Sequence, residues 1–377
     1  MTLPTTKAPI VEGTCDQSFA NVRDAFAANL ANGNDLGASL CITVEDETVV
    51  DLWGGFADAA RTRPWQADTL VNVYSCTKTV SALLAHYLVD QGVLDFDAPV
   101  SKWWPEFSAA GKEEVLLRHV MSHSAGLADW DPELPIHKLY DWEAATKPLA
   151  AQAPAWPPGS ACGYHSLTQG YLIGEVIRRA TGETPGTLFR RVFGEPLDLD
   201  FYIGLPESED SRVAELVIDP RVADDEEVSA HMLSGALDVR LPNTSDWRRA
   251  EIPAAGGIGN ARSLATLHCI LANDGVTKGK RFLSSASCKG ALVPQVTGTD
   301  RILDMPITWG LGFAVGIGTM PNPGTIYWGG YGGSLVLIDM DARTTFAYAM
   351  NQMASPSSGD TRALDLAMEM WTTQGLM

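Results

Sequence analysis

The chain has 377 residues, 45% of them hydrophobic and 19% charged, enough to bury a large core as one domain or as two lobes around a cleft. Its formal charge of −19 repels phosphate backbones and anionic lipid, which argues against nucleic acid or a membrane surface as partner. Six scattered cysteines without a C-x-x-C pair, an N-terminus without an apolar signal core and the lack of any membrane-length apolar run lead to the expectation of free thiols in a cytoplasmic protein.

In chain order, residues 16–32 place Phe19, Val22, Phe26 and Leu30 at helical spacing, with Asn-Gly behind them as a stop. Residues 37–45 and 48–53 read as strands joined at Asp46-Glu47, a hairpin. Residues 76–91 give the clearest helix, with Val80, Leu83, Leu84, Tyr87 and Leu88 along one stripe and Gly92 past its end. Residues 113–121 predict a short helix. The Pro- and Trp-rich stretch 128–160 predicts an irregular surface section, and 166–181 a further helix stopped by Gly182. The acidic run Asp224-Asp225-Glu226-Glu227 reads as a solvated loop. A helix over 262–273 is followed by strand-like runs at 310–316, 325–329, 334–340 and 344–350, then by a last helix over 360–372. Strands at both ends with helices between predict an α+β fold: an antiparallel sheet flanked by terminal helices, with a helical lobe inserted. The expected division is a mixed domain from 1–74 and 240–377 and a helical domain from 75–239, with the active site in the cleft between them.

The residues that carry chemistry begin with Ser75-Cys76-Thr77-Lys78. A serine hydroxyl is a weak nucleophile and needs a base, and a lysine serves only when burial or nearby positive charge lowers its pKa. Spacing i, i+3 puts both side chains on one helical face. The bland alternative is a serine N-cap with a solvated lysine in the first turn. Tyr164 in Gly163-Tyr164-His165-Ser166 could relay a proton beside such a pair; alone it would read as a packed loop tyrosine. The glycines of Trp328-Gly329-Gly330-Tyr331-Gly332-Gly333 allow close backbone approach, either as a tight turn or as part of an oxyanion hole. No G-x-S-x-G nucleophile elbow occurs. His119 and His123 lack the zinc-peptidase pattern and read as structural, and Gly256-Gly257-Ile258-Gly259-Asn260 lacks dinucleotide-loop spacing.

Taken in order, these segments resemble the serine β-lactamase and penicillin-binding-protein superfamily, and within its class C-like group the family VIII carboxylesterases. Ser75-Cys76-Thr77-Lys78 matches S-x-x-K, Tyr164-His165-Ser166 stands at the Tyr-x-Asn or Tyr-x-Ser position, and Trp328-Gly329-Gly330 stands where β-lactamases carry Lys-Thr-Gly. The framing segments 91–100, 117–127, 157–159, 254–257 and 309–313 extend the resemblance over residues 16–372. The resemblance implies the β-lactamase-like fold and acylation of Ser75, with Lys78 as base and Tyr164 sharing the proton traffic. It further implies an oxyanion hole from the backbone N–H groups of Ser75 and Tyr331, and substrate contacts from His165, Ser166, Trp328, Gly329 and Gly330. It implies no metal and no cofactor. An indole at 328 supplies an apolar wall but no cation for an anionic substrate, which shifts the expectation from β-lactams to neutral short-chain esters and leaves weak β-lactam hydrolysis open. Acyl transfer, amide or D-peptide cleavage, a non-catalytic relative, and a monomer or a dimer also stay open.

Overall fold

The computed structural model describes residues 10–223, 238–354 and 360–377; the acidic run Asp224-Asp225-Glu226-Glu227 lies outside them. Strands β1 (Val11–Cys15), β2 (Gly37–Val44), β3 (Glu47–Gly55), β4 (Val296–Thr299), β5 (Pro306–Trp309), β6 (Ala314–Val315), β7 (Thr325–Gly329), β8 (Leu335–Asp339) and β9 (Thr344–Met350) form one antiparallel sheet in the order β1-β3-β2-β9-β8-β7-β6-β5-β4. The two ends of the chain meet at its centre, where Thr344 pairs with Val44 and Met350 with Ala38. Glu45 and Asp46 turn the β2–β3 hairpin with positive φ, the geometry that matches strand twist in a two-residue loop.

Every residue of β9 is buried, which is expected of a strand covered on both faces. On one face Thr43 and Thr345 bond each other at 2.6 Å, and Thr345 donates to the Ala265 carbonyl of the helix Ala261–Ala272. Ile42 and Phe346 point the other way and are fully buried. The terminal helices Ala20–Ala31 and Thr361–Thr373 pack on each other.

Along the chain between β3 and β4 lie the helices Thr77–Asp90, Leu117–Met121, Trp142–Ala151 and Thr168–Thr181, the last of which contacts the other three. A second, three-stranded sheet joins Val71–Asn72, Gly257–Gly259 and Phe201–Ile203. It sets the entry to Thr77–Asp90: Val73 N–H donates to the Gly257 carbonyl, and Gly257 N–H donates to the Thr77 hydroxyl.

Three expectations change. The stretch 128–160 is not wholly irregular, because Asp141 caps a helix over Trp142–Ala151 by accepting from the Ala144 N–H. The strand expected over 310–316 shrinks to Ala314–Val315, because Gly310 and Gly312 form a turn, Gly312 with φ of 94°, that feeds back to β5. The helix expected over 113–121 begins only at Leu117.

Candidate active site

Ser75 lies in a one-turn helix, Tyr74–Cys76, that runs straight into Thr77–Asp90. Tyr74 enters it with φ of 43°, a conformation that costs energy for a residue with a Cβ. The turn is clasped by the end of β7. Gly330 lies so close that a Cβ there would sit 2.3 Å from the Val73 carbonyl oxygen and 2.0 Å from the Ser334 hydroxyl, so only glycine fits. Ser334 donates to the Val73 carbonyl at 3.0 Å, and the Tyr331 ring meets the Tyr74 ring edge-on at 5.3 Å. The backbone at 328–331 therefore runs alongside the turn that carries Ser75.

Lys78 is 2% exposed, and its Nζ stands 3.1 Å from Ser75 Oγ. The amine also donates to the Ser166 carbonyl at 2.7 Å and to the Ala254 carbonyl at 3.0 Å. Burial pulls its pKa well below the ordinary lysine value, against a smaller opposing effect of the neighbouring Cys76. A neutral amine has two hydrogens and one lone pair. The two carbonyls accept the hydrogens, and the lone pair is left for the Ser75 hydroxyl. The solvated-lysine alternative does not apply, and the Ser75 hydroxyl is engaged with side chains, not with a helix cap.

Tyr164 Oη donates to Ser75 Oγ at 2.6 Å and accepts the Trp328 indole N–H at 3.0 Å. Burial raises its pKa, so the resting phenol holds its proton, although the bonds to Ser75 and Trp328 act in the opposite direction. Lys78 Nζ lies 4.7 Å from the centre of the Tyr164 ring. That ring stacks on Trp309 at 5.9 Å with only 3° between planes and leans on His123 and Trp328. Beside Ser166 opens a cavity of about 430 Å³, walled by Trp130, Leu134, Leu139 and Leu167 and carrying the carboxylates of Asp129 and Glu133.

A β-lactamase family model matches residues 22–368. The chain belongs to the β-lactamase family. It is 34% identical to the esterase/β-lactamase LipL of Mycobacterium tuberculosis over 370 residues, 92% of this chain and 84% of LipL. Its fold superposes on a crystal structure of a family VIII carboxylesterase with a TM-score of 0.90 and 40% identity, covering 97% of this chain and all of that one. A penicillin-binding-protein homologue from Caulobacter crescentus superposes at 0.89 with 38% identity, covering 97% of this chain and 100% of the homologue.

Within this β-lactamase-family chain the structure brings Ser75, Lys78, Tyr164 and Trp328 into one connected group. Ser166 joins through its carbonyl, not its hydroxyl. His165 does not belong with them. It is fully buried, its Nε2 accepts the Leu127 N–H at 3.0 Å, and its Nδ1 faces the Gly163 carbonyl at 2.6 Å. Desolvation pulls its pKa to about 4, and both ring nitrogens are engaged with backbone groups, so the structure does not bring this side chain into the Ser75 group. Trp328 is more than an apolar wall, because its N–H is spent on Tyr164.

Cys76, next to Ser75, is fully buried, and burial pushes its thiol up to about 12, which disfavours the thiolate. Among the described residues no group of three or more His, Cys, Asp or Glu could hold a metal ion, and no helix is long and apolar enough to cross a membrane. Sequence reasoning missed the Ala254 carbonyl as a lysine partner, although the segment 254–257 stood out as a framing motif. It also missed Asp300, which is buried and accepts the Tyr164 backbone N–H at 2.9 Å, because its isolated position in a polar stretch carries no local signal.

Proposed function

We propose that this chain hydrolyses short-chain carboxylic esters through an acyl-enzyme on Ser75. The carrying observation is a buried amine 3.1 Å from a serine hydroxyl, with both of its hydrogens accepted by backbone carbonyls. Esterase relatives and a carboxylesterase neighbour support the same reading.

In acylation, neutral Lys78 takes the Ser75 proton as Oγ attacks the ester carbonyl. The N–H groups of Ser75 and Tyr331 stabilise the oxyanion. Tyr164 gives its proton to the departing alkoxide, and the resulting phenolate is held by the new Lys78 ammonium and the Trp328 N–H. In deacylation, water gives a proton to the Tyr164 phenolate and attacks the acyl carbon. Ser75 leaves with the proton from Lys78, and both groups return to their resting states. No metal or cofactor takes part in this scheme.

The substrate would lie between the sheet domain, 1–74 with 240–377, and the helical domain, 75–239, with one arm in the cavity beside Ser166. Asp129 and Glu133 there, and the missing cation at 328, favour neutral or cationic esters over anionic ones. Six free cysteines fit a reducing, cytoplasmic setting.

The test is purified Ser75→Ala assayed with p-nitrophenyl acetate and butyrate. Turnover should vanish while the melting curve stays that of a folded protein, and a fluorophosphonate should label wild type but not the variant. Retained turnover in Ser75→Ala overturns the assignment.

A further inference from the structure

We propose that Asp300 is a positioning residue for Tyr164, holding the phenol against Ser75 through two separate handles; the inference rests on the acyl-enzyme reading above. Asp300 follows β4 and is 0% exposed. A buried polar side chain must have its hydrogen-bonding groups satisfied, and every partner that Asp300 finds is local to Tyr164 or to its own turn. Its Oδ1 accepts the backbone N–H of Tyr164 at 2.9 Å and those of Ile302 and Leu303 at 3.0 Å each. Its Oδ2 accepts the Trp309 indole N–H at 3.1 Å.

These contacts converge on one side chain. The first handle is the backbone: Oδ1 ties the main chain of Tyr164 to the turn at 300–303, and the Arg301 N–H adds a second tie to the Cys162 carbonyl at 3.0 Å. The second handle is the ring: Oδ2 fixes the plane of Trp309, and Tyr164 stacks on that plane at 3°. Cys162, Tyr164, Ile307, Trp309, Ala314 and Trp328 form a small buried cluster of their own. Tyr164 is thus positioned by this cluster more than by the main core, and its phenol reaches Ser75 at 2.6 Å only while the cluster keeps its shape. A displacement of about 1 Å at a reacting group costs on the order of a hundredfold in rate.

Asp300→Asn separates the two handles. The amide oxygen can still accept the three backbone N–H groups, but the amide nitrogen then faces the Trp309 N–H, donor against donor. We expect kcat on p-nitrophenyl butyrate to fall roughly 10- to 100-fold with KM within about twofold, in a protein whose near-UV circular dichroism shows a folded core. Adding Trp309→Phe removes the opposing donor and keeps an aromatic ring, so the double variant should recover about fivefold or more relative to Asp300→Asn.

The decisive comparison is made in a Tyr164→Phe background, where Asp300→Asn should cost less than about twofold, because the group it positions has lost its hydroxyl. If Asp300→Asn leaves kcat unchanged, or multiplies the Tyr164→Phe loss by its full factor, the inference is overturned. If Asp300→Asn does not fold, Trp309→Phe alone breaks the ring handle, and its kcat loss must likewise disappear in the Tyr164→Phe background. Turnover surviving in Ser75→Ala would sink the chemistry itself, whereas an essential Ser75 with multiplicative losses would sink only the role of Asp300.

Discussion

The Trp328 indole N–H donates to the Tyr164 phenol oxygen at 3.0 Å. In the proposed scheme this uncharged donor would steady a transient Tyr164 phenolate without adding a cation beside it. Trp328→Phe keeps the ring and deletes the donor. A hydrogen bond to a charged acceptor contributes about 1.5–3 kcal/mol, so kcat should fall roughly 10- to 100-fold with KM little changed. Steady-state kinetics on p-nitrophenyl butyrate check this; an unchanged kcat would show that the indole serves only as a wall.

Lys78 gives the activity and the stability a shared pH signature. As the proposed base Lys78 works only when neutral, and burial lowers its pKa, so kcat/KM should rise with pH along a limb lying well below the ordinary lysine range. Unfolding returns the amine to water and to its usual pKa of 10.5. Between the lowered value and 10.5 the unfolded chain binds the extra proton, so this residue makes the folded state more stable as pH rises and imposes its full cost at lower pH. Lys78→Met, inactive, removes that dependence. The melting temperature of wild type should gain on that of Lys78→Met between pH 7 and pH 9, as calorimetry at the two values would show; parallel curves would mean the amine is not desolvated.

Gly330→Ala forces a Cβ against the Val73 carbonyl and the Ser334 hydroxyl. Overpacking at a tight site costs about 1–3 kcal/mol. The strain falls on the backbone that carries both proposed oxyanion donors. Chemical denaturation should show a loss of that size, accompanied by a drop in kcat of roughly tenfold or more. Full activity in a destabilised variant would separate the clasp from catalysis.

The carboxylates of Asp129 and Glu133 give the cavity beside Ser166 a negative field. Asp129→Asn with Glu133→Gln should raise kcat/KM for an anionic ester such as mono-p-nitrophenyl succinate several-fold. It should lower that for a choline ester and leave a neutral ester of equal size unchanged. Each charge contributes about 1 kcal/mol at close range in water, and the effect should fade as salt screens it. Equal changes on all three esters would show that the cavity does not read charge.

The sequence alone determined what depends on neighbours along the chain. Ser75 and Lys78 share a face because they lie three apart on a helix whose apolar stripe marks it for burial, and the polar Asp46-Glu47 between two strand-like runs marks a hairpin, although the turn itself sits one residue earlier at Glu45-Asp46. Edge strands escaped: β1 and β4 are mostly exposed, and glycines at 13 and 298 leave them no alternating pattern. The helix Trp142–Ala151 was masked by an internal proline, Pro148. Only the tertiary structure decided which carbonyls receive the lysine, that His165 is spent on backbone, that Trp328 serves Tyr164, and that a carboxylate 136 residues away holds that tyrosine. The physical reason is range. Periodicity and capping are written in a few consecutive residues, whereas the dryness of an amine and the aim of a phenol depend on groups that become neighbours only when distant segments pack.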